Sequence, residues 1–229
     1  MSVPSWQVSH SKPILSPSLT NSSNSATVWL LDGRKVNEAA LAASLSWLNT
    51  DEQRRYARFI RPERQRQFLL GRWLLRQLLA ESLELAPQQI VLRERLHNAP
   101  LLVLDTNAPP PNFNLSHSGP WVACALSMHS ALGLDIERLD GERDFAALAE
   151  QIFDSTELAS FRALPEAEKM LSFYQAWSSK EARYKLGANS GSAQAAQQFQ
   201  LSHPALSIVL CSALPLAMPP LIIVPQWAG

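Results

Sequence analysis

GLDIE at residues 133–137 and WSSKEARYK at residues 177–185 decide how this sequence folds. The first lies among β-branched residues and leucine and reads as a strand, where the two-residue spacing of Asp135 and Glu137 puts both carboxylates on one face. The second lies in a helical stretch, where the four-residue spacing of Glu181 and Lys185 does the same. If strand and helix meet, three carboxylates and a lysine converge on one spot. Like-charged oxygens repel unless a cation sits among them. The simplest is Mg2+, a hard ion held by oxygen ligands and often shared with substrate phosphates.

The helix supplies a reason for them to meet. Its apolar stripe through Met170, Phe173, Tyr174 and Trp177 continues onto Glu181, Tyr184 and Lys185, so the stripe carries a carboxylate towards the buried side. There Glu181 needs a cation, a metal or a proton. An ion pair with Arg or Lys at a domain seam would also satisfy it, and Asp135 and Glu137 alone read as solvated charges at a strand end. The joint pattern favours a metal-phosphate site. NLSHSG at residues 114–119 sits where a strand turns. Ser116, His117 and the turn amides beside Gly119 suit a phosphate, or equally form a capped turn with a half-buried histidine. A serine-hydrolase triad lacks its Gly-x-Ser-x-Gly elbow.

Composition limits the ligand. The chain has 229 residues, 46% of them hydrophobic, and a formal net charge of +0. That length suits one large domain or two of roughly 100 residues each. The neutral total hides an asymmetry: residues 51–76 carry eight arginines (54, 55, 58, 61, 64, 66, 72 and 76) against three acids, and no charged residue follows Lys185. A basic segment facing an acidic site suits an anionic, metal-bridged ligand. No nucleic-acid-binding motif or aromatic-basic interleaving is present, so nucleic acid is not expected as a partner. Cys124 and Cys211 are far apart in apolar surroundings and read as core residues. There is no basic start followed by an apolar run, and prolines at 204, 215, 219, 220 and 225 break the apolar tail. These features predict a cytoplasmic protein without a membrane partner.

Residues 1–26, rich in Ser, Asn and Pro, read as a mobile extension, with order from Thr27. A strand is expected over 28–31, helical spacing through Ala39, Leu41, Leu45 and Leu48, and a capping box at Thr50 with Gln53. The next helix carries Phe68 to Leu79 on an apolar face with its arginines largely opposite. Strands are expected over 90–92, 101–104 and 113–115, then a hairpin of 121–126 with 132–136 closed around 128–130. Helices follow over 145–153 and 156–164, and a longer one from Pro165 to about Leu186 with Gly187 as its stop. Short strands over 199–201, 206–210 and 221–224 finish the chain. Strand, helices, strands occurs twice, which predicts an α+β fold with an N-terminal subdomain over 27–120 and a C-terminal one over 121–229, although no sequence repeat is visible.

FNLSHSG (113–119), GLDIE and FYQAWSSKEARYK (173–185), in this order and at these separations, resemble the three motif blocks of the Sfp-type 4′-phosphopantetheinyl transferases. FLLGRWLLRQLL (68–79) resembles that family's first-half helix, and the likeness covers roughly residues 48–188. The resemblance implies two similar α/β subdomains related by a pseudo-twofold, in a monomer that binds coenzyme A between its halves. The implied activity is transfer of the 4′-phosphopantetheine group to a serine of an apo carrier protein of acyl, peptidyl or polyketide type, releasing 3′,5′-ADP. By the same resemblance Asp135, Glu137 and Glu181 hold Mg2+, and Glu181 also takes the serine proton. Lys185 holds the pyrophosphate and steadies the leaving group, and Lys180 adds a second contact. Ser116 and His117 meet the 3′-phosphate, with Arg55 and Arg66 as phosphate contacts from the first half.

The chain departs from the pattern where the family commonly has Gly-Lys-Pro, since it reads Asn98, Ala99, Pro100. Either Arg93 or Arg95 substitutes for that lysine, or coenzyme A binds less tightly. Two other classes use the same residues: a metal-dependent phosphohydrolase acting on a nucleotide or coenzyme A, and a non-catalytic module that binds coenzyme A or a carrier protein.

Overall fold

In strand β1 (Thr27–Asp32) Trp29 and Leu31 point to one side, Val28 and Leu30 to the other, and all four are buried. A strand apolar on both faces has to lie inside a sheet that is covered twice. The computed structural model, which describes residues 24–95, 99–105, 109–190 and 197–225 without the side chains of 188–190, gives β1 that place. It pairs antiparallel with β5 (Trp121–Ser127) and parallel with β9 (Leu221–Ile223), and β5 pairs with β4 (Asn112–Ser118), giving the order β4-β5-β1-β9. A second sheet has the order β6-β8-β7, from Leu132–Arg138, Leu206–Ser212 and Gln197–Leu201. Strands β2 (Val91–Arg93) and β3 (Leu101–Val103) form a small separate pair.

The helices cover the outer faces. Helices α1 (Glu38–Ala43), α2 (Thr50–Ala57) and α3 (Pro62–Leu83) precede β2, while α4 (Phe145–Ile152), α5 (Ser155–Arg162) and α6 (Glu166–Ser190) follow β6. Trp29, Leu31, Val122, Cys124 and Leu126 pack against Leu70, Leu74 and Leu78 of α3. The opposite face of the same sheet, with Val28, Leu30, Ala123 and Ala125, shares one core with Leu132, Leu134, Ile136, Ile208 and Leu210 of the second sheet. Val209 and Cys211 then meet Ala182 and Leu186 of α6. The result is four layers, α3, sheet, sheet, α6, in an α+β architecture. Among the described residues no helix is long and apolar enough to cross a membrane.

Several local expectations are corrected. The hairpin of 121–126 with 132–136 does not form, because the two runs lie in different sheets; β5 turns back on β4 through Gly119, whose φ of +54° a side chain would resist, and Pro120. The N-cap of α2 is Asn49 rather than Thr50, with Glu52 rather than Gln53 closing the box, since Asn49 Oδ1 accepts the N–H groups of both Asp51 and Glu52 at 3.0 Å. The arginines of α3 do not all face water. Arg76 and Glu52 are 1% and 0% exposed and paired at 2.6 Å, and Arg72 lies beside them at 3.2 Å from Glu52. Helix α6 runs through Gly187 to Ser190 instead of stopping there. Most of the extension expected over 1–26 lies outside the described residues, but Asn24 is already tied down, donating to Pro215 O at 2.6 Å and accepting from Ala217 N at 2.7 Å.

The tightest contact between layers is at Gly133. A Cβ there would fall 1.9 Å from Ala182 O and 2.6 Å from Leu186 N, both backbone atoms of α6. Only glycine lets this helix lie so close to β6. Gly133→Ala is expected to push α6 off the sheet and cost about 1–3 kcal/mol or more in chemical denaturation. Gly141→Ala, where the nearest atom to a new Cβ is Met170 Sδ at 3.8 Å, should stay close to the unaltered protein.

Candidate functional site

Strands β4 and β6 lie side by side without a backbone ladder between them. Three alternate side chains of β4 take its place: Asn114 Oδ1 accepts from Leu134 N at 3.1 Å, Ser116 Oγ from Ile136 N at 3.1 Å, and Ser118 Oγ from Arg138 N at 3.0 Å. The period of two matches the pleat, so one side of β4 is committed to this seam. The serines also reach the carboxylates between those amides. Ser116 donates to Asp135 Oδ1 at 3.1 Å and Ser118 to Glu137 Oε2 at 2.7 Å.

Helix α6 closes on the same carboxylates from the other side. Trp177, Glu181 and Lys185 form one row with four-residue spacing. Trp177 Nε1 donates to Glu137 Oε1 at 3.2 Å, and Lys185 Nζ donates to Asp135 Oδ1 at 2.8 Å and to Ser116 Oγ at 2.9 Å. Glu181, one turn from each, makes no hydrogen bond or ion pair with the described residues. Burial, then the Asp135 charge, push the Glu137 carboxyl above its usual range, and the Ser118 and Trp177 hydrogen bonds oppose them.

From Ser116 and Lys185 a cavity of about 240 Å³ opens towards the first half, walled by Arg55, Arg64 and Arg72 with Phe59 and Phe68. The Phe68 ring lies under the guanidinium groups of Arg72 and Arg55 at 4.7 and 5.6 Å. Two of these arginines are already engaged, because Glu94 holds Arg72 at 2.5 Å and also pairs with Arg55. Arg64 differs: it donates only to the neutral Gln67 Oε1, at 2.5 Å, and has no carboxylate partner among the described residues. His117 lines the mouth of the cavity. Burial, and then the Arg64 charge, bring its imidazole down to about 4, although the solvent-facing side of the ring screens part of that effect.

The structure brings Asp135, Glu137, Ser116 and Lys185 together at the seam, with His117 and Arg55 in the wall of the cavity and Glu181 within one turn of Lys185. It holds Arg66 and Lys180 elsewhere. Arg66 bonds Gly33 O at 2.7 Å and pairs with Glu38, while Lys180 is paired at 2.8 Å with Glu157 on α5. Ser116 is buried and its hydroxyl is fully used, its proton on Asp135 and its lone pairs taken by Ile136 N–H and Lys185, so it has no hydrogen left for a phosphate. Ala99 and Pro100 line the cavity, whereas Arg93 and Arg95 do not, and Arg95 donates instead to Ala99 O at 2.8 Å.

Among the described residues no three His, Cys, Asp or Glu side chains are grouped so that they could hold a metal ion. Two details nevertheless suit a hard cation: Asp135 Oδ2 is buried without a hydrogen-bond partner, and Glu181, one turn before Lys185 on α6, has no hydrogen bond or ion pair among the described residues. An all-oxygen carboxylate set with one buried orphan oxygen fits Mg2+ by donor chemistry.

Comparison with known proteins places this chain in a family. The family model "4′-phosphopantetheinyl transferase, N-terminal" matches residues 35–129, and "4′-phosphopantetheinyl transferase superfamily" matches residues 131–209. The 4′-phosphopantetheinyl transferase HetI of Nostoc sp. is 34% identical over 171 residues, which is 74% of this chain and 71% of that protein. The chain belongs to the 4′-phosphopantetheinyl transferase superfamily. The 4′-phosphopantetheinyl transferases gsp of Aneurinibacillus migulanus and Sfp of Bacillus subtilis are 30% and 28% identical over 60% and 62% of this chain. Those matches span 55% and 60% of the two relatives. The two matched segments of this transferase-family chain meet at residue 130, between β5 and β6.

Sequence reasoning did not single out Arg64, Ser118 or the Trp177 indole as parts of the site. Arg64 is separated from Arg66 only by helical register, which a run of eight arginines does not fix. Ser118 had a signal, since Asn114, Ser116 and Ser118 are polar at period two in a strand otherwise carrying Phe113 and Leu115.

His117 supplies a pH prediction. Its folded value lies below the ordinary 6.5, so its contribution to stability is present above about pH 6.5 and is lost as pH falls from there towards 4. In NMR titrations the His117 midpoint should lie below the ordinary 6.5, and addition of coenzyme A, an anion, should move it upward. An unshifted midpoint with coenzyme A bound would remove His117 from the anion-binding wall.

Proposed function

We propose that this protein transfers the 4′-phosphopantetheine arm of coenzyme A to a serine of an apo carrier protein of acyl, peptidyl or polyketide type, releasing 3′,5′-ADP. Holo-[acyl-carrier-protein] synthase activity is one form of that reaction. The observation that carries the reading is the junction itself: a cavity walled by arginines and aromatics ends on Lys185 and Ser116, which hold Asp135. An anionic ligand filling the cavity from the first half would bring its phosphates to the carboxylates of the second. The halves we propose divide between β5 and β6, where the two family matches meet, a shift from the boundary at 120 and 121 expected from the sequence. The protein would act as a cytoplasmic monomer, with no nucleic acid or membrane as partner.

In this reading Arg64 and His117 meet the phosphate in the cavity mouth, with Arg55 adding charge from the wall. Arg64 replaces Arg66, which is committed to Glu38. Lys185 at the inner end steadies the pyrophosphate and the charge that develops on the departing 3′,5′-ADP. Asp135, Glu137 and Glu181 would hold Mg2+, which when bound neutralises pyrophosphate charge. Glu181, without another partner among the described residues, takes the proton of the carrier serine. As it leaves, the serine oxygen bonds to the phosphorus that bears the pantetheine arm, and the bond from that phosphorus to the bridging oxygen breaks. Neither the phosphohydrolase reading nor that of a non-catalytic binding module finds support in the family match.

Purified protein with coenzyme A and MgCl2 should add one phosphopantetheine group to members of a panel of apo carrier proteins, read by intact mass. Unchanged masses across the panel, or phosphate released from coenzyme A without an acceptor, would sink the reading. Glu181→Gln should lower the rate by about 10²–10⁴-fold while leaving the melting temperature unchanged. A large fall in melting temperature would instead mark Glu181 as structural. Arg64→Ala should raise the KM for coenzyme A about tenfold with little change in kcat, the loss of one charged hydrogen bond.

A further inference from the structure

Glu137 is gripped on both oxygens by uncharged donors from opposite sides of the seam. Ser118 on β4 donates to Oε2 at 2.7 Å, and Trp177 on α6 donates to Oε1 at 3.2 Å. Ser118 does a second thing with the same atom: its Oγ accepts the N–H of Arg138, the residue directly after Glu137, at 3.0 Å. One hydroxyl therefore fixes the backbone that carries this carboxylate and the direction in which the carboxylate points. Ser116 does the same for Asp135 but also touches Lys185, so its loss would disturb a charge as well as a position. Among the described residues Ser118 has no charged side-chain partner besides Glu137, and it does not line the cavity. Its effect can be isolated.

We propose that Ser118 is a positioning residue that holds Glu137 ready to ligate a divalent cation. This rests on the reading above in which Glu137 is one of the ligands. A side chain locked before the cation arrives loses no further rotamer freedom on binding, so the lock acts on cation affinity and leaves coenzyme A affinity alone. Outer partners of metal-binding carboxylates change affinity by about 10–100-fold when they are removed.

The test compares Ser118→Val with Ser118→Thr, two β-branched residues suited to a strand that differ in the hydroxyl. Mn2+ binding to the full chain is read by electron paramagnetic resonance with coenzyme A saturating, and coenzyme A binding is measured separately without metal. Ser118→Val should weaken Mn2+ binding about tenfold. Ser118→Thr should restore it, and coenzyme A binding should be unchanged in both. Mn2+ bound by Ser118→Val as tightly as by the unaltered protein overturns the proposal. So does an equal loss of coenzyme A affinity, which would mean that the hydroxyl merely holds the seam together. Glu137→Gln separates the underlying reading: if it also binds Mn2+ as tightly as the unaltered protein, Glu137 is no ligand and the reading fails together with the role of Ser118.

Discussion

The seam between β4 and β6 is the constraint on which the rest of this molecule depends. Each strand is the edge of its own sheet, and an edge strand presents N–H and C=O groups that must be paired, covered or left to water. Here Asn114, Ser116 and Ser118 satisfy the amides of Leu134, Ile136 and Arg138. Because a strand alternates, the residues between those amides, Asp135 and Glu137, face away from the shared core and towards α6. The glycine at 133 on that face lets α6 come close enough for Trp177 and Lys185 to reach the two carboxylates. Alternation on β4 acts likewise, since Phe113 and Leu115 pack with the core under α3 while His117, next in that row, emerges at the cavity mouth.

Charge in the first half does two separate jobs. Arg76 and Arg72 are buried against Glu52 and Glu94, and Glu52 also closes the cap of α2 by accepting from Asn49 N at 3.0 Å. Removing one partner from a buried pair of this kind leaves an uncompensated charge, so these arginines fasten α2 and β2 to α3. Arg55 and Arg72, both held by Glu94, also line the cavity, and Arg64 reaches it with no carboxylate partner among the described residues. Counting arginines in the sequence measures the sum of both jobs and cannot separate them, because burial of a guanidinium depends on where an acid from another element falls.

The α+β class, most strand and helix positions and the convergence of GLDIE with the long helix were legible, because they follow from local periodicity and from the shared face of residues four apart. The partners of β5 were not. Its apolar run suits any neighbouring strand, and the choice of β1 and β4 over β6 is made by the tight turn at Gly119 and Pro120 and by β1, nearly a hundred residues earlier in the chain. The parallel return of β9 to β1 is equally non-local. At the site, residue type told which groups carry charge, but not that Lys180 would be taken by Glu157 or Arg66 by Glu38, since each acid comes from a different helix. The motif NLSHSG drew attention to Ser116 and His117 as anion binders, and the structure divides them: the histidine faces the cavity, and the serine is spent within the seam.

That division bears on how one lysine can serve both a carboxylate and a phosphate. Asp135 uses its two oxygens differently: Oδ1 takes Lys185 and Ser116, and Oδ2 is buried with no partner. A buried carboxylate oxygen left bare is costly, and here the cost falls on the side away from the lysine. A cation arriving at Oδ2 therefore has no need to evict Lys185, whose ammonium carries three protons and has two of them committed, to Asp135 and Ser116. The third remains for an anion in the cavity that Lys185 lines. In the proposed reading Asp135 and Lys185 form a pair in which each member keeps one position open, the acid for a cation and the base for a phosphate. In the proposed reading it is this pair, more than the number of charges in either motif, that suits the junction to a metal-bridged pyrophosphate.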